Sequence, residues 1–318
     1  MNKVSVLIPA YNSSEFITDT LDSCLAQGDL VGEIVVVDDG STDDTSAMVT
    51  TWKNRHPDLD VTLIQTENRG ACHARNVAFE NSRFEWIQWL DADDLLGEGK
   101  LKAQLNWLIQ HPQGLAACPW FKFRKAPHDV EAGEDWSSLP EMSTPSEWLV
   151  SRTMMMPAAW LGHRSLFEQI GPWVEGLRIN QDGEFFTRAI TKSSSVGFMS
   201  DIEVHYRIGQ GASVSHWNPE KADSLFETCT SFEQHVLSCD PSLRHLVAER
   251  YQDFIHRVYP NAPEQRKKAR QKVKEFATGP IANHQLVSPL ARTVSKLIGW
   301  KAFLRLRHWT WSFRYPQS

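Results

Sequence analysis

Three carboxylates lie together at the end of an apolar run: Asp91, Asp93 and Asp94 follow the segment 84–90. An apolar segment of this length predicts a buried strand that delivers the three side chains to one edge of a sheet. Because unpaired buried charge is costly, a hard cation such as Mg²⁺ or Mn²⁺ would stabilise the cluster and keep coordination positions for phosphate oxygens. The cluster therefore indicates a metal site for a phosphorylated substrate. A helix N-cap within an acidic turn is the alternative interpretation.

The first hundred residues alternate between strongly apolar runs and segments with helical spacing. This alternation predicts an α/β protein with a mostly parallel sheet flanked by helices. Ligands of such sheets bind beyond the carboxyl ends of the strands, where Asp38, Asp39, Asp91 and Asp93 fall, so we expect these residues to share one site. The predicted strands are 4–9, 33–38, 61–64 and 86–90, and the predicted helices are 15–27, 42–52 and 72–81.

Two common nucleotide-binding motifs are missing from the sequence. No GxGxxG follows the first predicted strand, and no GxxxxGK[ST] is found. Their absence argues against a dinucleotide-dependent oxidoreductase and against a P-loop NTPase. Phosphate must then be bound by other means, and a metal ion held by Asp93 would provide them.

The chain carries four short segments in succession: IPAYN at 8–12, VVDDGSTD at 36–43, NRGACHARN at 68–76 and DADD at 91–94. In type and order they resemble the motifs of the family 2 glycosyltransferases. The resemblance implies a GT-A fold, in which a nucleotide-sugar lies over the sheet, and an inverting transfer that requires Mn²⁺ or Mg²⁺. It favours a UDP-linked sugar as donor and a glycan or lipid-linked acceptor, as in polysaccharide, lipopolysaccharide or other glycoconjugate synthesis.

The same resemblance assigns the residues that would bind the nucleotide-sugar. Pro9, Ala10 and Tyr11 lie where the family's first loop packs against the base and ribose. Asp39 is placed as the acceptor for the imide N–H of uracil, which suits a carboxylate because an ionised carboxylate only accepts hydrogen bonds. Arg75 is placed near the nucleotide or its diphosphate, and a salt bridge on a helix surface is the alternative for this residue.

The resemblance also distributes roles among the acidic residues. Asp91 resembles the ribose contact or water-mediated metal contact of the family's DxD motif, and Asp93 resembles the direct metal ligand. We expect Asp38 to be a structural partner and not a direct contact of the nucleotide, and we expect Asp94 to cap the helix that follows.

A further acidic pair falls in the segment 180–188, which resembles the family's ED-type motif. The resemblance makes Asp182 the general base, since an inverting displacement needs a carboxylate opposite the leaving diphosphate to take the acceptor's proton. Glu184 is the rival for this role. A helix N-cap is the alternative role for Asp182.

The segment 204–207 resembles the family's last strand with its Tyr-Arg pair. Many relatives carry a His a few residues later, but residues 208–213 contain none. His216 is then either a substitute on a loop or a structural His. Arg207 and Ser213 are the candidates for a phosphate contact in its place.

We expect a GT-A catalytic domain over residues 1–218, with a donor half at 1–100 and an acceptor half at 101–218, and a helical extension over 219–318. From residue 264 onward the chain holds 12 Lys and Arg against two Glu, which leaves 21 basic and 37 acidic residues before it. A basic end on an acidic body indicates an anionic partner. The segment 290–313 has the composition of a helix that lies in a membrane interface, and docking of this helix on the catalytic domain is the alternative.

The expected partners are therefore a nucleotide-sugar, a glycan or lipid-linked acceptor and a membrane surface, and no nucleic acid is expected. Dispersed cysteines without a CxxC pair, and an N-terminus that enters a strand directly, predict a cytoplasmic protein, peripheral to the inner face of the membrane if the basic helices bind it. Two other classes stay open: a nucleotide-sugar-binding protein impaired in transfer, and a sugar nucleotidyltransferase.

Overall fold

The computed structural model describes residues 2–124, 136–153, 155–209 and 217–279. These residues divide into two compact units. The first comprises residues 2–177 and 181–209, with the gaps just given, and the second comprises residues 178–180 and 217–279. The predicted α/β class is confirmed in the first unit. The donor and acceptor halves and the domain boundary at 218 stay predictions.

The described part of the first unit contains eleven strands. The first two are buried at every position except Gly32, as expected of strands covered on both faces. The strands are β1 Val4–Ala10, β2 Val31–Asp38, β3 Val61–Gln65, β4 Trp86–Trp89, β5 Leu95–Leu96, β6 Leu115–Ala117, β7 Trp120–Phe123, β8 Met142–Ser143, β9 Leu161–His163, β10 Val196–Phe198 and β11 Val204–Arg207.

Eight of these strands form one mixed sheet in the order β3-β2-β1-β4-β9-β6-β10-β8. The four strands predicted from the first hundred residues are parallel neighbours, with β1 between β2 and β4. Strand β9 runs antiparallel to both β4 and β6. Its three residues are too few to show a periodic pattern, which is why the sequence does not predict it.

Seven helices flank this sheet in the described residues, and local sequence explains where two of them begin. Helix α5 starts with a capping box between Thr144 and Glu147 and carries Pro145 in its first turn. Helix α3 starts after Gly70, whose φ of +94° suits glycine. The helices are α1 Ile17–Leu25, α2 Thr45–Arg55, α3 Ala71–Glu80, α4 Lys100–Gln110, α5 Pro145–Ser151, α6 Arg164–Ile170 and α7 Gln181–Lys192.

A small second sheet, in the order β5-β11-β7, brings the segment after β4 next to residue 207. Strand β11 is antiparallel to β5 and parallel to β7. Gly97 permits the close approach, because a Cβ there would lie 2.3 Å from the carbonyl oxygen of Glu203. The Gly97 N–H donates a 3.0 Å hydrogen bond to that same oxygen.

The described part of the second unit contains three α-helices: α8 Ala222–Cys239, α9 Arg244–Val258 and α10 Pro263–Phe276. Glu233 of α8 joins the other two, since one carboxylate oxygen accepts from the Tyr251 hydroxyl at 2.6 Å and the other from the Lys272 ammonium at 2.6 Å. None of the helices in the described ranges has the length and apolar character needed to cross a bilayer. The predicted interfacial segment 290–313 lies outside the described residues.

Candidate active site

The carboxyl ends of β2, β1 and β4 lie side by side and carry the first acidic residues of the site. The Asp39 N–H donates to the carbonyl oxygen of Ala10 at 2.8 Å, and the Leu90 N–H donates to that of Leu7 at 3.0 Å. Asp39 and Asp91 therefore leave the sheet on either side of β1. This edge is where an open α/β sheet binds its ligand.

Asp39 is buried and receives backbone N–H groups on both carboxylate oxygens. Arg69 donates to Oδ1 at 2.9 Å and Gly70 donates to Oδ2 at 2.7 Å. The carboxylate thus holds the turn that starts α3. Oδ1 also accepts from the Thr66 hydroxyl at 3.4 Å, whereas Oδ2 keeps a lone pair that can accept a further donor from a ligand.

Pro9 and Ala10 are buried at the end of β1, whereas Tyr11 is 50% exposed. The loop after Tyr11 is joined to the loop after β2 by Asn12, whose Oδ1 accepts from the Thr42 N–H at 2.8 Å. Asp38, the last residue of β2, accepts from the Ser41 N–H of the second loop at 2.9 Å, which agrees with the structural role expected of it.

Asp91 forms an ion pair with Arg75. The distance from Arg75 Nη2 to Asp91 Oδ1 is 2.7 Å, and Arg75 Nη1 lies 3.4 Å from Gln181 Oε1. The Arg75 guanidinium is buried 4.5 Å from the centre of the Trp173 ring. The predicted surface salt bridge is therefore wrong in its location, because Arg75 is an interior residue that links α3 to the segment after β4. Gln181 and Trp173 were not singled out from the sequence.

Asp93 and Asp94 both have raised pKa values. Burial, followed by the charge of Asp91, raises the pKa of Asp93 to about 6, against an opposing effect of Arg207. Burial and the charges of Asp93 and Asp91 raise the pKa of Asp94 well above its ordinary range. The buried Asp94 Oδ2 has no hydrogen-bond partner among the described residues. The segment therefore holds more negative charge than its surroundings compensate.

The predicted capping role of Asp94 is wrong. Its Oδ1 accepts the backbone N–H of Arg207 at 3.0 Å, and the next helix begins only at Lys100, after Gly99. The two-residue strand β5 intervenes and pairs with β11, so Asp94 faces a residue 113 positions away. A contact of this separation leaves no local pattern in the sequence.

Arg207 is buried between the rings of Phe16 and Phe123, at 4.8 and 4.5 Å from their centres. Its Nε donates to the Asp93 carbonyl oxygen at 2.9 Å, and its Nη2 lies 3.1 Å from Asp19 Oδ2. These contacts fix the backbone of the acidic segment. A direct phosphate contact for Arg207 stays a prediction, while Ser213 and His216 lie outside the described residues.

Asp182 lies in the first turn of α7, as its second residue and not as its cap. Burial and the charge of Asp91 raise its pKa, while hydrogen bonding to the Gly183 backbone and the charge of Arg75 oppose the shift. The rival Glu184 is buried and its two oxygens accept from Arg188 at 2.9 and 2.8 Å. Both carboxylate oxygens of Glu184 are therefore engaged in an ion pair within α7.

One side chain brings the acidic segment after β4 next to the start of α7. Arg75 contacts Asp91 through Nη2 and lies 3.4 Å through Nη1 from Gln181, which precedes Asp182. The charges of these acidic residues also reach Tyr206: burial raises its pKa to about 12, and Asp94, Asp93, Asp91 and Asp182 contribute in the same direction.

No three His, Cys, Asp or Glu side chains converge as a metal-binding group within the ranges that the structure describes. Hard cations such as Mg²⁺ keep several coordination positions for water and phosphate oxygens, so one or two carboxylates suffice to hold them beside a diphosphate. Asp93 and Asp91 supply oxygen ligands of this kind, in a segment with excess negative charge.

A mixed α/β sheet with carboxylates at the carboxyl ends of its parallel strands agrees with the GT-A class of fold expected from the sequence. The model of "Glycosyl transferase family 2" matches residues 5–171, and the chain belongs to this family. The poly(ribitol-phosphate) β-N-acetylglucosaminyltransferase TarS of Staphylococcus aureus is 27% identical over 256 residues, which are 77% of this chain and 42% of that protein. The putative teichuronic acid biosynthesis glycosyltransferase TuaG of Bacillus subtilis is 36% identical over 107 residues, which are 34% of this chain and 42% of that protein. The matched segments thus cover less than half the length of either relative.

Solved structures share the fold. The crystal structure of S. aureus TarS 1–349 in complex with UDP has a TM-score of 0.64 at 21% identity and covers 86% of this chain and 88% of its own. The mannosyltransferase PcManGT of Pyrobaculum calidifontis, in complex with GDP-Man and Mn²⁺, has a TM-score of 0.57 at 20% identity and covers 96% and 86%. At this level of identity the likeness establishes the GT-A fold of this chain.

Proposed function

We propose that this chain transfers a sugar from a UDP-sugar to an acceptor hydroxyl with inversion, assisted by a divalent cation. The observation that carries the proposal is the position of Arg75, which pairs with Asp91 at 2.7 Å and lies 3.4 Å from Gln181, the residue before Asp182. The two groups of carboxylates stand on separate elements, as a displacement with a leaving group on one side and a base on the other requires.

The donor end of the site is formed by Tyr11 and Asp39. Tyr11 offers an exposed ring to the base and ribose, and Asp39 offers an acceptor for the imide N–H of uracil. TarS has been crystallised with UDP and with UDP-GlcNAc, which supports UDP as the nucleotide. Pro9 and Ala10 form the backbone at this end, and Arg75 forms an ion pair with Asp91.

Asp93 and Asp91 would hold the cation, Mn²⁺ or Mg²⁺. The fit rests on the raised pKa of Asp93 and on the unpartnered buried oxygen of Asp94, which mark surplus negative charge in a set of oxygen ligands. A bound divalent cation supplies neutralisation of the charge that develops on the diphosphate when the sugar–phosphate bond breaks. Arg207 contributes by holding the backbone of this segment in place.

Asp182 takes the proton of the acceptor hydroxyl. The acceptor oxygen forms the new bond to the anomeric carbon, the electron pair of the broken bond leaves with UDP, and the proton moves to the Asp182 carboxylate. A pKa raised by burial makes a carboxylate a stronger base, because its proton affinity comes closer to that of the acceptor hydroxyl that it deprotonates.

The second unit offers a surface for an anionic membrane. Helix α10 exposes Lys267, Lys268, Arg270 and Lys274, and such clusters bind anionic lipid head groups. We place the protein in the cytoplasm at the inner face of the membrane, where it adds sugars to a cell-envelope glycan. Co-sedimentation with phosphatidylglycerol vesicles and not with phosphatidylcholine vesicles supports this placement, and equal sedimentation with both contradicts it.

The donor is identified by a thermal-shift panel of UDP-, GDP-, CDP- and dTDP-sugars with Mn²⁺. We expect stabilisation by UDP-sugars, and the largest shift names the sugar. UDP release from that donor is then compared between the wild-type protein and Asp93→Ala. Loss of metal-dependent release in the variant supports the proposal, whereas unchanged release removes Asp93 from the mechanism.

A further inference from the structure

The segment 171–177, here called the strap, is attached to helix α3 by the side chain of Asn76. Asn76 Nδ2 donates to the Trp173 carbonyl oxygen at 3.0 Å, and Asn76 Oδ1 accepts from the Trp173 N–H at 2.8 Å. Two hydrogen bonds to one backbone residue fix the strap in a single register. The amide is buried, so water does not compete for these bonds.

Glu175 adds a second attachment from the strap to the same helix. Its Oε1 accepts from Asn76 Nδ2 at 3.2 Å and lies 3.2 Å from His73 Nδ1, while its Oε2 lies 2.9 Å from Arg69 Nη2. The backbone N–H of Arg69 binds Asp39. Glu175 therefore connects the strap to the turn that holds Asp39.

Trp173 of the strap is buried against helix α7. The Trp173 ring stacks on Phe185 of α7, with ring centroids 3.9 Å apart and planes inclined by 4°. Arg75, which binds Asp91, lies over the same Trp173 ring. Phe185 follows Asp182 by one helical turn. Trp173 thus packs against both Arg75, which binds Asp91, and the helix that carries Asp182, so a shift of its ring would move one relative to the other.

We propose that Glu175 is a positioning residue, which acts through Asn76 and Trp173 to set the distance between Asp182 and the Asp91–Asp93 segment. The inference rests on the proposed function. The side chains of Glu175 and Arg69 are 38% and 58% exposed, and an exposed ion pair adds little to folding stability. A small misplacement of reacting groups, in contrast, lowers a rate strongly. A large loss of rate with a small loss of stability therefore distinguishes positioning from a merely structural role.

The test compares Glu175→Gln and Glu175→Ala with the matched control Glu168→Gln, which removes an exposed carboxylate from α6. The assay is UDP release, with Mn²⁺ and water as acceptor, from the UDP-sugar that gives the largest thermal shift, well below the melting temperature. We expect kcat to fall about tenfold in Glu175→Gln and further in Glu175→Ala, because glutamine keeps the acceptor for Asn76 but loses the charge for Arg69. The Kd for UDP should stay within about twofold, since the backbone N–H groups of Arg69 and Gly70 that hold Asp39 remain in both variants.

Hydrogen exchange of residues 181–192 gives a second readout, which does not depend on turnover. We expect faster exchange at the start of α7 in both Glu175 variants and wild-type exchange in Glu168→Gln. Unchanged exchange, or unchanged kcat, overturns the positioning role. A fall in kcat matched by a large fall in melting temperature also overturns it. If the wild-type protein binds no UDP, the proposed function itself is wrong, and the positioning role is then wrong with it.

Discussion

Arg75 and Asp91 form a 2.7 Å ion pair in which the arginine is buried and the aspartate keeps 30% of its side chain exposed. The pair joins α3 to the acidic segment after β4, and the aromatic ring of Trp173 covers its inner face. Asp91 is thereby held at the edge of the sheet with one oxygen engaged. This arrangement orients the acidic segment toward the space that Asp182 borders.

Removal of the arginine should destabilise the protein, because it leaves an uncompensated carboxylate at a partly buried position. We expect Arg75→Met to lower the free energy of unfolding by about 2–4 kcal/mol, less than for a fully buried pair because water reaches Asp91. Urea denaturation measures the change. Arg55→Met, which removes an exposed arginine at the end of α2, is the control, and equal stability of the two variants contradicts the role of the pair.

Asp39→Asn should weaken UDP binding. An amide nitrogen in place of one carboxylate oxygen opposes the N–H of Arg69 or Gly70, so the loop shifts and the acceptor for uracil is weakened. Loss of a hydrogen bond to a charged group predicts an affinity lower by about ten- to a hundredfold. Isothermal titration with UDP and Mn²⁺ measures it. The control Asp58→Asn, at an exposed position before β3, should bind UDP as tightly as the wild type does. Wild-type affinity in Asp39→Asn would show that Asp39 does not bind uracil.

Asp182→Asn should separate binding from turnover. Asparagine preserves the shape of the side chain but takes up no proton, so UDP binding should persist while sugar transfer falls by at least about a hundredfold. Glu184→Gln makes the contrasting case, because Glu184 pairs with Arg188 and its loss should lower the melting temperature. Full turnover by Asp182→Asn would rule it out as the base.

Lys100 gives a prediction for stability against pH. It is buried and donates to the side-chain carbonyl oxygens of Gln88 and Gln104, and burial lowers its pKa from 10.5 to about 8, against the effect of Cys118. Between about pH 8 and pH 10.5 the unfolded chain binds more protons at Lys100 than the folded protein does. Lys100 therefore makes the free energy of unfolding rise with pH in this range. Its destabilising contribution is fully present below the folded pKa and is gone above 10.5.

The stability of Lys100→Met relative to the wild type should therefore fall as pH rises through this range. Chemical denaturation at a series of pH values from about 7 to about 10.5 measures the difference. Lys102→Met, an exposed neighbour on α4, should show no such trend. A pH-independent difference for Lys100→Met would mean that the ammonium does not titrate in this window.

The parts of the site predicted from sequence are those with local signals. The strands β1, β2 and β4 are apolar runs, and the acids at their ends follow from the geometry of a parallel sheet, as seen for Asp39 and Asp91. Asp94 was misassigned because its partner, the N–H of Arg207, is 113 residues away. The role of Glu175 could not be predicted for a related reason, since no local sequence pattern indicates the contacts of a single loop carboxylate with Arg69 and Asn76.

In the proposed reaction Asp93 holds a divalent cation that carries the diphosphate of a UDP-sugar. This role can be measured by titration of UDP into the wild-type protein and into Asp93→Asn, each with and without Mn²⁺. We predict that Mn²⁺ strengthens UDP binding by at least about tenfold in the wild type and by no more than about twofold in the variant. Binding that is equally strong without Mn²⁺, or equally strengthened by it in Asp93→Asn, would contradict the account.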